Sequence, residues 1–311
     1  MAMKSTRREI MKTAAGLAMG AAVSPAADAL PKGEIRKLKV GRLLLGGNLL
    51  THYTHSRDLK YVYNLARRYN TEEKLLETLA LAEAHGVDTL AVHPDPNLMP
   101  ILKRHRARGG KIKWILSTEP PGDAPVEAGM EAHRKRVAEL VEHGADAIYL
   151  WGVRADQLVK AGKMDLVAKA IDIMKATGLP TGVGGHALAT IVECEKAQIP
   201  ADFYLKTLHS HSYPSAPKPG QAADDFKEFP GYWCGKPQET VEFMASVTKP
   251  WIAFKVMAAG AIPPKQAFQY AYESGADFVL AGMFDFEVAE DVQTAKGILA
   301  NLPKRTRPWR G

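Results

Sequence analysis

The chain has 311 residues, 46% of them hydrophobic and 24% charged, with a formal net charge of +7. Its two cysteines, Cys194 and Cys234, exclude a disulfide framework and a CxxC metal pair. Basic residues cluster at Lys103-Arg104-His105-Arg106 with Arg108, and again at Lys304-Arg305-Thr306-Arg307. No aromatic residues interleave them, so they are expected to be solvated helix and terminus charge, and no nucleic-acid partner is expected.

The first residues are expected to form a leader. Thr6-Arg7-Arg8-Glu9-Ile10-Met11-Lys12 precedes a weakly apolar stretch at 13–23 and then Ala27-Asp28-Ala29. This is the charged, apolar and small-residue order of an export signal, with the paired arginines of the twin-arginine class. The apolar stretch is too short to span a membrane. Residues 1–29 are therefore expected to be a twin-arginine signal peptide and 30–311 the folded domain. The expected location is periplasmic or otherwise exported, with the twin-arginine translocase as a partner during export.

Three copies of one pentapeptide organise the remainder. They are Ala84-His85-Gly86-Val87-Asp88, Glu142-His143-Gly144-Ala145-Asp146 and Glu273-Ser274-Gly275-Ala276-Asp277. Each joins an amphipathic stretch to a short apolar run, the pattern of a helix closed by glycine and feeding a strand. The spacing of the first two copies equals two strand–helix units of roughly 30 residues. The predicted fold class is α/β, a single (β/α)₈ TIM barrel after the export signal. In chain order the strands are expected at 42–49, 88–93, 113–119, 147–151, 181–186, 202–208, 251–257 and 278–283. Between them apolar residues recur at helical spacing, as in Leu75, Leu79 and Ala82, or Leu166, Ala170 and Ile173. Asn70-Thr71-Glu72-Glu73 marks the start of the first helix. The segments 51–69 and 209–237 are expected to be long loops at the catalytic end of the barrel.

Strand alternation then selects site residues. Taking Leu90, Val92, Ile148, Leu150, Phe203, Leu205, Ile252 and Phe254 as helix-facing places Asn48, His93, Glu119, Trp151, His186, Lys206 and Lys255 inward at one level. His93, Glu119, His186, His209 and His211 form a candidate metal set suited to zinc, manganese or iron. Glu119, Lys206 and Lys255 are the candidate catalytic groups, and Asn48, Tyr149 and Trp151 the candidate substrate contacts. A bland alternative is a salt bridge from Glu119 to Lys206 or Lys255. His52 and His55 are weaker candidates, and His85, His105, His133 and His143 are expected at the surface.

The run Ala201-Asp202-Phe203-Tyr204-Leu205-Lys206-Thr207, followed by 254–262 with Lys255, resembles the last third of class I aldolase barrels of the deoxyribose-phosphate type. That resemblance spans 201–283 and implies a Schiff-base lysine with a second lysine beside it. Lys206 stands one residue later than the family's Ala-Asp-Phe-x-Lys-Thr spacing, which reverses its facing unless a bulge intervenes. The turns at Ala259-Gly260 and Ala281-Gly282-Met283 are similar to the phosphate cradle of many barrels. Leu44-Leu45-Gly46-Gly47-Asn48 resembles the first strand of aldo/keto reductases, whose tetrad is Asp, Tyr, Lys and His. Here His93, Leu98, Glu119 and Trp151 stand in those places, so neither nicotinamide nor flavin is expected. The expected function is a metal-dependent lyase or isomerase acting on a sugar-like, possibly anionic, carbonyl compound. The alternatives are a metal-free Schiff-base aldolase using Lys206 and Lys255, and a non-catalytic periplasmic ligand-binding barrel.

Overall fold

The computed structural model describes residues 29–311 apart from 57–58, 123–124, 219–220, 222–233 and 303–304. The expected export signal, except Ala29, lies outside the described residues.

Each repeated pentapeptide closes a helix as its glycine demands. Gly86, Gly144 and Gly275 sit at φ of 92°, 83° and 96°. The next amide reaches back into the last turn: Val87 to the Ala82 carbonyl at 2.8 Å, Ala145 to Leu140 and Ala276 to Ala271 at 3.0 Å. The aspartate that ends each copy then accepts an amide near the start of a neighbouring strand. Asp88 Oδ1 takes the Gly41 N–H, Asp146 Oδ2 that of Trp114, and Asp277 Oδ2 that of Trp251. Asp202 does the same for Thr181. Four aspartates thus tie strand starts to their neighbours, satisfying amides that the ladder leaves open.

Two strands precede the barrel, β1 (Lys32–Ile35) and β2 (Leu38–Gly41), paired antiparallel. The barrel strands are β3 (Leu43–Gly46), β4 (Thr89–Val92), β5 (Lys113–Thr118), β6 (Ala147–Leu150), β7 (Thr181–Gly185), β8 (Phe203–Thr207), β9 (Trp251–Phe254) and β10 (Phe278–Ala281). All eight pair in parallel and close, β10 joining β3. The helices are α1 (Lys60–Tyr69), α2 (Glu72–Ala84), α3 (Leu98–Ala107), α4 (Val126–Glu142) and α5 (Gly152–Lys160). They continue as α6 (Met164–Lys175), α7 (Leu188–Lys196), α8 (Pro237–Ser246), α9 (Pro264–Glu273) and α10 (Asp285–Ala300). Every barrel strand falls inside its expected span, so the (β/α)₈ barrel stands. Thr71 caps α2 as its sequence suggests, its side chain accepting from Lys74 N.

Two elements depart from expectation. The β1–β2 hairpin turns through Arg36, whose φ of 55° is a place usually given to glycine, so no turn signal marks it. Ile35 and Val40 from this hairpin join the barrel interior beside Leu44, Ile115, Phe203, Ile252 and Phe278 and close its lower end. Residues 60–69, expected as loop, form α1; its apolar row Tyr61, Leu65 and Tyr69 keeps helical spacing but is exposed.

The barrel interior also corrects the facing of two strands. Phe203 and Leu205 on β8, with Ile252 and Phe254 on β9, pack in the inner cluster rather than against the helices. Leu90, Val92, Ile148 and Leu150 face the helix layer as expected. Aliphatic character alone cannot separate the two faces of a barrel strand, because both are buried. Room inside comes from glycine on β7: a Cβ on Gly182 would lie 2.5 Å from the Phe203 ring.

On the outside, Asp291 of α10 is 4% exposed, and burial followed by Glu287 and Glu290 pushes its carboxyl up to about 7. A folded pKa above the unfolded one means this site favours the fold at low pH and loses that contribution as pH rises through 7. Asp291→Asn is expected to raise unfolding stability by about 2 kcal/mol at pH 8 and by almost nothing at pH 4. Urea titrations at the two pH values measure this, and an equal change at both would refute the assignment.

Candidate active site

The carboxyl ends of the strands surround a cavity of about 460 Å³. Asn48, His93, Tyr149, Trp151, His186 and Lys255 line it: four directly follow their strands, Asn48 stands two residues beyond β3 and Tyr149 lies within β6. The structure therefore gathers six of the sequence-derived candidates at one site. Glu119, Lys206, His209 and His211 are not among its lining residues.

Lys255 follows β9 in the left-handed region, φ 57°, and Ala258, Ala259 and Gly260 follow at 48°, 56° and 80°. Non-glycine residues pay about 1–3 kcal/mol each for such backbone, and it recurs where a site needs an unusual aim. The Lys255 ammonium donates to His55 Nε2 at 2.7 Å, and Asn48 Nδ2 lies 2.9 Å from the same nitrogen. An ammonium has only donors, so His55 is the acceptor and carries its proton on Nδ1.

His186 is 4% exposed and is held by Asp156 of α5. Asp156 Oδ2 accepts from His186 Nδ1 at 2.9 Å and from the His186 amide at 2.9 Å. Its Oδ1 accepts from the Ala187 amide at 3.3 Å and the Thr190 hydroxyl at 2.6 Å. This fixes the Nδ1–H tautomer and makes Nε2 the basic nitrogen. Burial pushes the imidazole down to about 4; Asp156 opposes this, and the charges of Lys255 and Lys206 reinforce it. His186 is accordingly neutral at physiological pH.

A second polar group lies across the barrel. His93 Nδ1 is 2.9 Å from Ser117 Oγ on β5, and Ser117 also bonds the Tyr149 hydroxyl. Burial, followed by the Arg136 charge, lowers the His93 pKa. Burial pushes the Tyr149 phenol up to about 12, the Ser117 hydrogen bond opposing it, so it remains a proton donor. Trp151 packs on His93, with ring centroids 5.7 Å apart.

The remaining candidates do other work. Glu119 follows the end of β5 and precedes Pro120 and Pro121, so the chain leaves the barrel wall there; its carboxylate pairs with Arg154 of α5 at 3.4 Å. Arg154 thus takes the place that the alternative salt-bridge reading gave to Lys206 or Lys255. Lys206 is wholly buried on the outer face of β8, as the shifted family spacing implied, and Nζ donates to the Thr207 hydroxyl at 2.9 Å. His209 Nε2 accepts the Cys234 amide, and His211 Nε2 lies 2.8 Å from the Cys234 carbonyl. These two histidines fasten the segment after β8 to the chain entering α8. Among the described residues no three His, Cys, Asp or Glu side chains are grouped to hold a metal ion. The structure does not bring the expected donor set together at the cavity: Glu119 pairs with Arg154, while His209 and His211 bond backbone groups of Cys234.

Sequence reasoning missed Asp156 and Ser117, and it underrated His55. Asp156 meets His186 across 30 positions of chain, and Ser117 is an ordinary strand residue until the barrel closes. Among histidines expected at the surface, His133 is wholly buried and His105 is 6% exposed, bonded to Glu83 at 3.0 Å.

No protein-family profile and no curated protein matches this chain. Among solved structures it is similar to a Pseudomonas aeruginosa protein described as an aldo-keto reductase, at 16% identity and a TM-score of 0.56, covering 89% of this chain and 100% of that one. It is also similar to a truncated 3-deoxy-D-arabino-heptulosonate 7-phosphate synthase from Thermotoga maritima, at 13% identity and a TM-score of 0.51, covering 89% and 95%. Likeness at these identities shows the barrel fold alone.

Proposed function

We propose that this barrel is a lyase or isomerase that moves a proton next to a carbonyl group. The observation that carries the proposal is the convergence of Lys255 and the Asp156-anchored His186 on one cavity. His186 Nε2 takes the proton, and Asp156 stabilises the imidazolium that forms. The Lys255 ammonium donates to the carbonyl oxygen and stabilises the enolate charge. The Tyr149 phenol returns a proton, and Trp151 with Phe254 keeps water from the enolate. The exported setting suggested by residues 1–29 is part of this proposal.

Exchange from deuterium oxide tests it without knowledge of the natural substrate. Small aldehydes, ketones and 2-keto acids incubated with the protein should gain deuterium at the α-carbon, followed by NMR. His186→Gln should abolish the gain. No exchange with any carbonyl compound would return the chain to the class of non-catalytic binding barrels.

A second reading has its own observation: the His55 nitrogen 2.7 Å from Lys255 Nζ can relieve the ammonium of its proton. The free amine would then form an imine with the carbonyl. Borohydride reduction in the presence of an exchanging ketone should add the ketone's mass to the wild type and to Lys206→Met, and not to Lys255→Met. An adduct that survives Lys255→Met would place the amine elsewhere.

A further inference from the structure

Nine large hydrophobic side chains are exposed among the described residues, and six of them lie in two short segments. Tyr53, Leu59, Tyr61, Leu65 and Tyr69 belong to the stretch between β3 and α2, and Phe286 opens α10. Scattered exposed hydrophobics are ordinary, whereas a gathered set marks a contact surface.

The gathering is continuous with the cavity. Tyr61, Leu65 and Tyr69 recur every four residues along α1, and the adjoining row begins with Val62, which lines the cavity. The Tyr69 ring meets Phe284 edge-on at 5.7 Å and Phe286 at 5.8 Å, and Phe284 stacks on Phe286 at 5.3 Å. Phe284 also lines the cavity. At the other edge, Tyr53 packs edge-on against His55 at 5.2 Å, beside Lys255. An apolar track thus runs from the polar floor, past Phe254, Leu280 and Phe284, to Phe286, Tyr69 and Leu65 outside.

A polyhydroxylated sugar would leave its hydroxyls unpaired along such a track. We infer that the substrate is an amphipathic carbonyl compound: its carbonyl lies between Lys255 and His186, and an apolar chain runs out over α1 and the start of α10. This rests on the proposed carbonyl chemistry and adds the chemical class of the molecule that undergoes it.

Affinities of methyl ketones from 2-butanone to 2-undecanone test the inference, with 2-alkanols of equal length as the carbonyl-free controls. Binding is read by calorimetry on the full chain. Ketone affinity should rise about two- to fourfold per added methylene until the track is filled. In a Leu65→Ser/Phe286→Ser double variant the ratio of 2-undecanone to 2-butanone affinity should fall at least tenfold. Both positions are exposed, so the variant should fold, which its unfolding midpoint checks. Ketone affinity that is flat with chain length, or a ratio unchanged in the double variant, would overturn the substrate class while leaving the carbonyl chemistry in place. Chain-length dependence shared equally by alkanols would keep the apolar track and overturn the carbonyl chemistry. Sedimentation showing a dimer that the double variant dissolves would assign the surface to a second copy and overturn the inference.

Discussion

Asp156→Asn should lower the rate of α-proton exchange about 10²–10⁴-fold, the span over which positioned acid–base groups act. The carboxylate accepts from His186 Nδ1, two successive amides and the Thr190 hydroxyl. An amide of the same shape presents a donor to one of them, so the ring turns or takes the other tautomer and Nε2 is no longer basic. A structural role alone would lower stability and leave the pH profile unmoved. The profile therefore decides: in the wild type kcat/KM should hold down to an acid limb near pH 4, where His186 titrates, and not near 6.5. The same shift acts on stability. The unfolded chain binds a proton below about pH 6.5 and the folded one only below 4, so this site weakens the fold as pH falls through that window, by about 3 kcal/mol in all. An exchange rate within threefold of wild type in a folded Asp156→Asn protein would remove His186 from the mechanism.

The largest loss of stability is expected at the opposite end of the barrel. Asp277 is wholly buried and receives the Trp251 amide at 2.9 Å, Arg307 Nη2 at 3.1 Å and the Arg310 amide at 2.7 Å. Arg305, 3.8 Å away, also donates to the carbonyls of Tyr272, Gly275 and Ala276. The Trp309 ring lies between the guanidinium groups of Arg42 and Arg305, at 3.9 Å and 3.3 Å. The basic tail is therefore a latch beneath the barrel, contrary to the solvated tail its composition suggests. Removing one side of a buried pair strands the other charge, so Asp277→Ala should cost about 3–5 kcal/mol. Asp146→Ala, whose partner Arg106 is 36% exposed, should cost about 1 kcal/mol beyond the lost Trp114 amide bond. Equal losses at the two sites, measured by urea unfolding, would mean that the tail contributes no buried charge to the latch.

Legibility divided along physical lines. The pentapeptides announced strands and helix ends because glycine at positive φ is a local requirement. The β1–β2 hairpin stayed hidden because Arg36 occupies the turn without a turn residue. Alternation succeeded on β4 and β6 and inverted on β8 and β9, where Phe203, Leu205, Ile252 and Phe254 are as apolar as the outer face they were assigned to. That inversion put Lys206 inside the barrel, where the structure has Phe203 and Leu205.

By itself the sequence determined the architecture and placed His93, Tyr149, Trp151, His186 and Lys255 at the carboxyl end of the strands, where the cavity lies. The architecture follows from periodicity and helix closure, which act over a few residues. Lys255 lines the cavity although alternation along β9, with Ile252 and Phe254 inward, would turn it outward, and its backbone there is left-handed. Only the tertiary structure decided which of the polar groups work together. It paired His186 with Asp156 and Lys255 with His55, gave Glu119 to Arg154, and turned His209 and His211 to backbone groups. The reason is that a hydrogen bond depends on ångström-scale approach between segments 23 to 200 residues apart. No pattern within a single strand or helix encodes that approach.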